Sequence, residues 1–180
     1  MRGRVRALLP LLLPALSGAA DQSAEWTRER VLDGAQLAEG DDVLAVGATD
    51  GLLALAALER IGDGWVHVVD PSVPALEDLE RRAAEIGASG IAYLVGGLCV
   101  LPLPDAAVDA VLTRPPANVE DRDEAARELY RVLRPGGRLS LVDATDHDSD
   151  ELTRALQNAG FADVQLERER GVAFVRARRP

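Results

Sequence analysis

The chain has 180 residues with 20 basic and 30 acidic side chains, so its net charge is −10 at pH 7. A single domain of that length buries roughly 70% of the surface its unfolded form exposes, and the acidity excludes nonspecific nucleic-acid binding, which needs a basic face to displace counterions. One Cys excludes a disulfide framework and a multi-thiolate zinc site, the absence of Lys excludes Schiff-base and P-loop lysine chemistry, and 3% aromatic residues offer no base-stacking platform.

Residues 1–24 form an N-terminal apolar segment. Arg2, Arg4 and Arg6 precede an uncharged run from Ala7 to Leu16, and Ser17, Gly18, Ala19 and Ala20 follow. That is the outline of a secretory signal, and equally of an amphipathic segment broken by Pro10 and Pro14 that packs on the domain. The first reading implies export and the second a cytoplasmic protein. The run is too short for a stable membrane span, which takes about 20 apolar residues.

From Ala24 a helix is expected through Trp26, Val31 and Leu32 to about Leu37, closed by Gly40. Val43 to Gly47 is a short apolar run with β-branched residues, the mark of a strand buried on both faces. A helix follows from Gly51 to Gly62, then a second buried strand from Trp65 to Asp70. Pro74 suits a helix start, and Leu76, Leu79, Ala83 and Ile86 recur at helical spacing. Ile91 to Val95 and Val108 to Thr113 are the third and fourth strands.

The next helix has acids in its first turn and Arg in its last, as the helix dipole prefers, with Ala126, Leu129, Tyr130 and Leu133 as its inner stripe. Pro135, Gly136 and Gly137 stop it before a fifth strand, Arg138 to Asp143. Asp148 and Glu151 have the spacing of a capping box for a helix over Leu152 to Ala159, and two strands about a turn at Gly171 close the chain. Five alternations of strand and helix predict an α/β fold, a mainly parallel sheet with helices on both faces, and the terminal hairpin predicts one antiparallel strand. Residues 25–180 read as one domain.

Parallel α/β sheets bind ligands beyond the carboxyl ends of their strands. The first such loop reads VLAVGATDG, and Asp70 ends the second strand about 20 residues later, where an acid accepts hydrogen bonds from ribose hydroxyls. Gly47 and Gly51 stand four apart with no Gly between them, so neither the dinucleotide fingerprint nor the P-loop is met.

AEGDDVLAVGATDG, WVHVVDPS, GGLCVLPLPDAAVDAVLTR and ELYRVLRPGGRLSLVD, in that order, resemble a class I S-adenosylmethionine-dependent methyltransferase of the small type 11 kind over Glu25 to Arg178. The resemblance implies a Rossmann-like three-layer sandwich with seven strands in the order 3-2-1-4-5-7-6, strand 7 antiparallel. It implies S-adenosyl-L-methionine as cofactor, with Gly47, Thr49, Asp50 and Gly51 in the first loop and Asp70 and Pro71 at the ribose. Gly97 and Leu98 fall at the adenine, and Arg114 falls where the family contacts cofactor or substrate. The sequence departs from the family at Ala45 and Gly97, where an acid is usual, and at Thr49, where Gly is usual. The implied function is methyl transfer to a small-molecule acceptor; the alternative is a methyltransferase-like protein that binds a ligand or partner without catalysis.

Asp143 to Glu151 gathers five acids around His147. This is a solvated loop and helix start, or a hard-metal site without EF-hand spacing; no metal is assigned. The loop borders the implied site, so His147 is the weak candidate for a general base. Thr113-Arg114-Pro115-Pro116 has the shape of the Asn-Pro-Pro-aromatic motif of amino-directed nucleic-acid methyltransferases without its amide or its aromatic ring, and reads as a rigid turn. The sequence carries no signal of oligomeric state.

Overall fold

The computed structural model describes residues 22–47, 51–114, 121–143 and 149–180. Thr49, Asp50, Pro115, Pro116, His147, Asp148 and nearly all of the N-terminal apolar segment lie outside the described residues.

Seven strands form one sheet: β1 (Asp42–Val46), β2 (Trp65–Asp70), β3 (Ile91–Val95), β4 (Val108–Thr113), β5 (Leu133–Asp143), β6 (Ala162–Glu169) and β7 (Val172–Arg178). Their order is β3-β2-β1-β4-β5-β7-β6, with β3, β2, β1, β4 and β5 paired in parallel and β7 antiparallel to both of its neighbours, β5 and β6. The described helices are α1 (Gln22–Ala35), α2 (Leu52–Ile61), α3 (Val73–Glu85), α4 (Arg122–Val132) and α5 (Ser149–Ala159). This is the seven-stranded Rossmann-like order that the sequence implied.

Alternate side chains of the central strands feed two cores. Val43 and Ala45 of β1 point into a core with Val31, Leu32, Leu55 and Leu58 of α1 and α2, together with Leu79 of α3. Leu44 and Val46 point into a core with Leu129 of α4 and Leu152 and Leu156 of α5. Burial on both faces is why these strands are continuous apolar runs. At the sheet edge, β6 alternates half-buried and exposed residues and carries Glu167, Arg168 and Glu169, charges that discourage edge-to-edge pairing.

The helix starts follow ordinary capping chemistry. Ser72 Oγ accepts from Ala75 N at the start of α3, and Asp121 Oδ1 accepts from Glu124 N at 2.7 Å at the start of α4. The buried residues of α4 are Ala125, Ala126, Leu129 and Val132; of the expected stripe, Ala126 and Leu129 are buried on the helix, Leu133 is buried just past its end, and Tyr130 is half-buried against the same core. Tyr130 meets Phe161 of that core edge to face at 5.3 Å, with the Arg179 guanidinium over its ring.

The Arg-Pro-Gly-Gly segment does not interrupt the chain between helix and strand. Leu133 caps α4 and already pairs with Val108 of β4, while Arg138 pairs with Ala110. The residues between bulge outward, which leaves a Cβ at Gly137 only 2.7 Å from the Arg134 carbonyl oxygen. The bulge lets Arg134 reach Asp42 at 2.9 Å and Asp109 at 2.5 Å, joining β1, β4 and β5 at their amino-terminal rim. The two-residue turn between β6 and β7 has positive φ at Arg170 and Gly171, the twist that hairpin turns of this length require.

Half-buried His67 sits on β2 near the same charges. Burial pushes its imidazolium down below the ordinary value of about 6.5; Asp42 opposes the shift and Arg134 adds to it. The folded protein therefore binds this proton less readily than the unfolded chain. Its stability contribution is complete above pH 6.5 and is lost as the pH falls below it. Urea midpoints at pH 7 and pH 5.5 should show a smaller acid loss for His67→Gln than for the native chain; an unchanged loss would contradict the shift.

Candidate functional site

The parallel ladder places the carboxyl ends of five strands on one rim. Val46 is level with Val69 and with Thr113, Asp70 is level with Val95, and Thr113 is level with Leu141. The residues that follow these positions, or end them, are Gly47, Asp70, Gly97 and Arg114. The structure thus brings together the described members of the sequence-derived site.

Gly47 leaves β1 with φ 100 and donates its N–H to the Val69 carbonyl at 2.8 Å. A Cβ placed there meets nothing within 4 Å, so the backbone faces open space. Gly51 is needed for a different reason. It caps α2 in the left-handed region at φ 62, and a Cβ on it would stand 2.5 Å from Leu79 Cδ1 of α3. The first loop thus ends in a glycine required by packing and begins in one that leaves room for a ligand.

Asp70, buried at 6% exposure, closes β2, and its Oδ1 accepts from Ser72 N at 2.7 Å. This turn holds the carboxylate at the rim while the chain passes through exposed Pro71 into α3. Beyond β3, Gly96 N donates to the Asp70 carbonyl, and Gly97 and Val100 exchange backbone hydrogen bonds at 3.4 and 3.1 Å. Leu98 is buried in the α4–α5 core, which anchors the loop, while Gly97 has open space at its Cβ position. The loop is also pinned from below: Leu101 N donates to Glu128 Oε2 at 2.9 Å. The Arg131 guanidinium beside Glu128 holds its carboxyl below the usual range, against the opposing effect of burial, so this acceptor stays charged.

Between these strand ends and α1 lies a cavity of about 160 Å3. Ala24, Thr27, Arg28 and Val31 of α1 form one wall, and Leu53 of α2 and Val142 of β5 add apolar surface beside Val46 and Gly47. Arg114, exposed at the end of β4, completes it. The sequence reading had singled out Gly47 and Arg114 but not Thr27, Arg28, Leu53 or Val142. Ala24, Thr27, Arg28 and Val31 share one face of α1, and Leu53 and Val142 join them only through the fold.

A backbone cradle and a buried acid at adjacent strand ends fit a nucleoside-bearing cofactor. Residues 43–137 match the model of a family described as Methyltransferase domain. The chain belongs to the class I S-adenosylmethionine-dependent methyltransferases. The cofactor of this family is S-adenosyl-L-methionine, and the open space at Gly47 and Gly97 beside Asp70 suits it.

A demethylmenaquinone methyltransferase from Thermus thermophilus is 37% identical over 126 residues, 69% of this chain and 51% of that protein. A ubiquinone/menaquinone biosynthesis C-methyltransferase from Ruegeria is 33% identical over 117 residues, 64% of this chain and 47% of that protein. The chain thus spans about half the length of the curated relatives it matches. The fold of an S-adenosylmethionine-dependent methyltransferase from Aquifex aeolicus superposes with a TM-score of 0.73, at 23% identity, over 85% of this chain and 89% of that one. Among the described residues no helix is long and apolar enough to cross a membrane.

Asp70 ends the strand that pairs directly with β1, beside the Gly47 cradle. Asp70→Ala should weaken S-adenosylhomocysteine binding by at least tenfold in calorimetric titration, the scale of one charge-assisted hydrogen bond of about 1.5–3 kcal/mol. Unchanged affinity would place the ribose elsewhere.

Proposed function

We propose that this chain binds S-adenosyl-L-methionine at the rim of β1, β2, β3 and β4 and methylates a small-molecule acceptor held under α1. The observation that carries the reading is the alignment of Gly47, Asp70, Gly97 and Arg114 on one rim, with open backbone at both glycines and an acid between them.

The backbone at Gly47 admits the ligand close to the end of β1, with Thr49 and Asp50 in the loop that follows. Asp70, held by the Ser72 N–H, accepts from ribose hydroxyls, and Pro71 stiffens the exit of the strand. The N–H of Leu98 meets the adenine ring at a loop anchored by its own buried side chain. Arg114 pairs with the carboxylate at the amino-acid end. When bound, the cofactor supplies a methyl group activated by a sulfonium. The protein contributes proximity and orientation, and the cavity under α1 sets the acceptor against that end of the site. His147, between β5 and α5 in the sequence, remains the candidate base.

Two relatives are named for demethylmenaquinone and for ubiquinone/menaquinone biosynthesis.

Calorimetric titration with S-adenosylmethionine and S-adenosylhomocysteine tests the reading. Binding is expected, and no heat at millimolar ligand would overturn it. Binding without methyl transfer to any small acceptor would make the chain a ligand-binding module instead. Gly97 stands where the family usually has an acid, and its Cβ position is open. Gly97→Asp is therefore expected to tighten S-adenosylhomocysteine binding about tenfold, one charge-assisted hydrogen bond; no gain would place the adenine away from this loop.

A further inference from the structure

The stripe that α1 presents to the cavity contains one residue that core packing does not ask for. Ala24, Thr27 and Val31 are small or apolar; Arg28, between them, is an arginine with its side chain 16% exposed. An arginine so enclosed is ordinarily held by a carboxylate at hydrogen-bonding distance. Others in this chain are: Arg60 has Glu29 at 2.6 Å and Asp33 at 2.7 Å, and Arg134 has Asp109 at 2.5 Å. Arg28 has Glu29 at 4.0 Å, and its Nε is buried with no hydrogen-bond partner.

Among the described residues lining the cavity, the charged side chains are both arginines. Arg114 lines it too and forms no ion pair among the described residues, and the described lining includes no Asp or Glu in a chain of net charge −10. The cofactor proposed for this rim has one carboxylate, which occupies Arg114 and leaves Arg28 over. The remaining walls, Val31, Leu53 and Val142, are apolar.

We infer that Arg28 anchors an oxyanion of the methyl acceptor, a carboxylate or a phosphate, whose apolar body lies against Val31, Leu53 and Val142. This rests on the placing of cofactor and acceptor at this rim given above. A guanidinium presents a fixed fork of donors that matches either oxyanion. A neutral acceptor of the same shape would leave the Arg28 donors unpaired and would be discriminated against.

The test uses the full chain, alone and saturated with S-adenosylhomocysteine, titrated calorimetrically with benzoate, phenyl phosphate and neutral benzamide. At least one anion is expected to bind tenfold or more tightly than benzamide, and which one identifies the oxyanion. Arg28→Met is expected to remove that preference while the S-adenosylhomocysteine Kd stays within about twofold, and Arg28→Lys is expected to restore part of it. Circular dichroism checks that the variants fold, and Arg28→Gln replaces Arg28→Met if the latter does not. The inference is overturned if no anion is preferred, if the preference survives loss of the guanidinium, or if that loss weakens S-adenosylhomocysteine instead. Should the native chain fail to bind S-adenosylhomocysteine, the cofactor reading falls, and the anion titrations of the ligand-free chain still decide the role of Arg28.

Discussion

The parallel hydrogen-bond ladder through β3, β2, β1, β4 and β5 is the constraint on which the rest of this structure depends. Parallel pairing carries every strand in the same direction, so all five end on the same rim. Residues far apart in sequence, Gly47, Asp70, Gly97 and Arg114, become neighbours there without needing contacts of their own. The two apolar cores on either face keep the ladder in register, because a one-residue slip would turn Val43 and Ala45 into the space filled by Leu44 and Val46.

Charge is distributed differently at the two ends of the sheet. At the amino-terminal rim the arginines are neutralised: Arg134 bridges Asp42 and Asp109, and Arg138 meets Asp41 at 2.5 Å. These pairs hold strand ends together. Burial pushes the Asp109 carboxyl up, yet the Asp42 N–H and the Arg134 guanidinium outweigh burial and hold it below the usual range. At the carboxyl rim, Arg28 and Arg114 have no such close partners among the described residues. In a chain of net charge −10, the charged side chains among the described lining of the cavity are both arginines.

The rim is held from behind as well. Glu128 joins α4 to the loop after β3, and Arg131 holds Glu128 in its charged form while reaching the Leu101 and Leu103 carbonyls. On the other side, Asp70 serves its own turn through Ser72 N. The same carboxylate proposed for the ribose thus also shapes the strand exit. The bulge at Arg-Pro-Gly-Gly is part of this economy, since it begins β5 directly at the end of α4 and frees Arg134 to cross to β1.

Much of this was legible before any coordinates. Continuous apolar runs such as Val43 to Val46 and Val108 to Thr113 marked strands buried twice over, and the order of elements with its terminal hairpin implied the sheet. Asp70 and Gly47 could be marked because a strand end followed by a turn is a local pattern. What only the tertiary structure decided involves residues whose neighbours are distant in sequence. Arg28 reads in sequence as one charged residue in an acidic helix; its enclosure depends on α1 lying across the ends of β1, β4 and β5. Leu53 and Val142 read as ordinary core, and the fold makes them cavity walls. The fifth strand begins at Leu133 rather than after Gly137, because Leu133 already pairs with Val108. Local spacing determines which elements form and where their ends lie; which side chains remain unpaired at those ends is settled by what the other strands bring beside them.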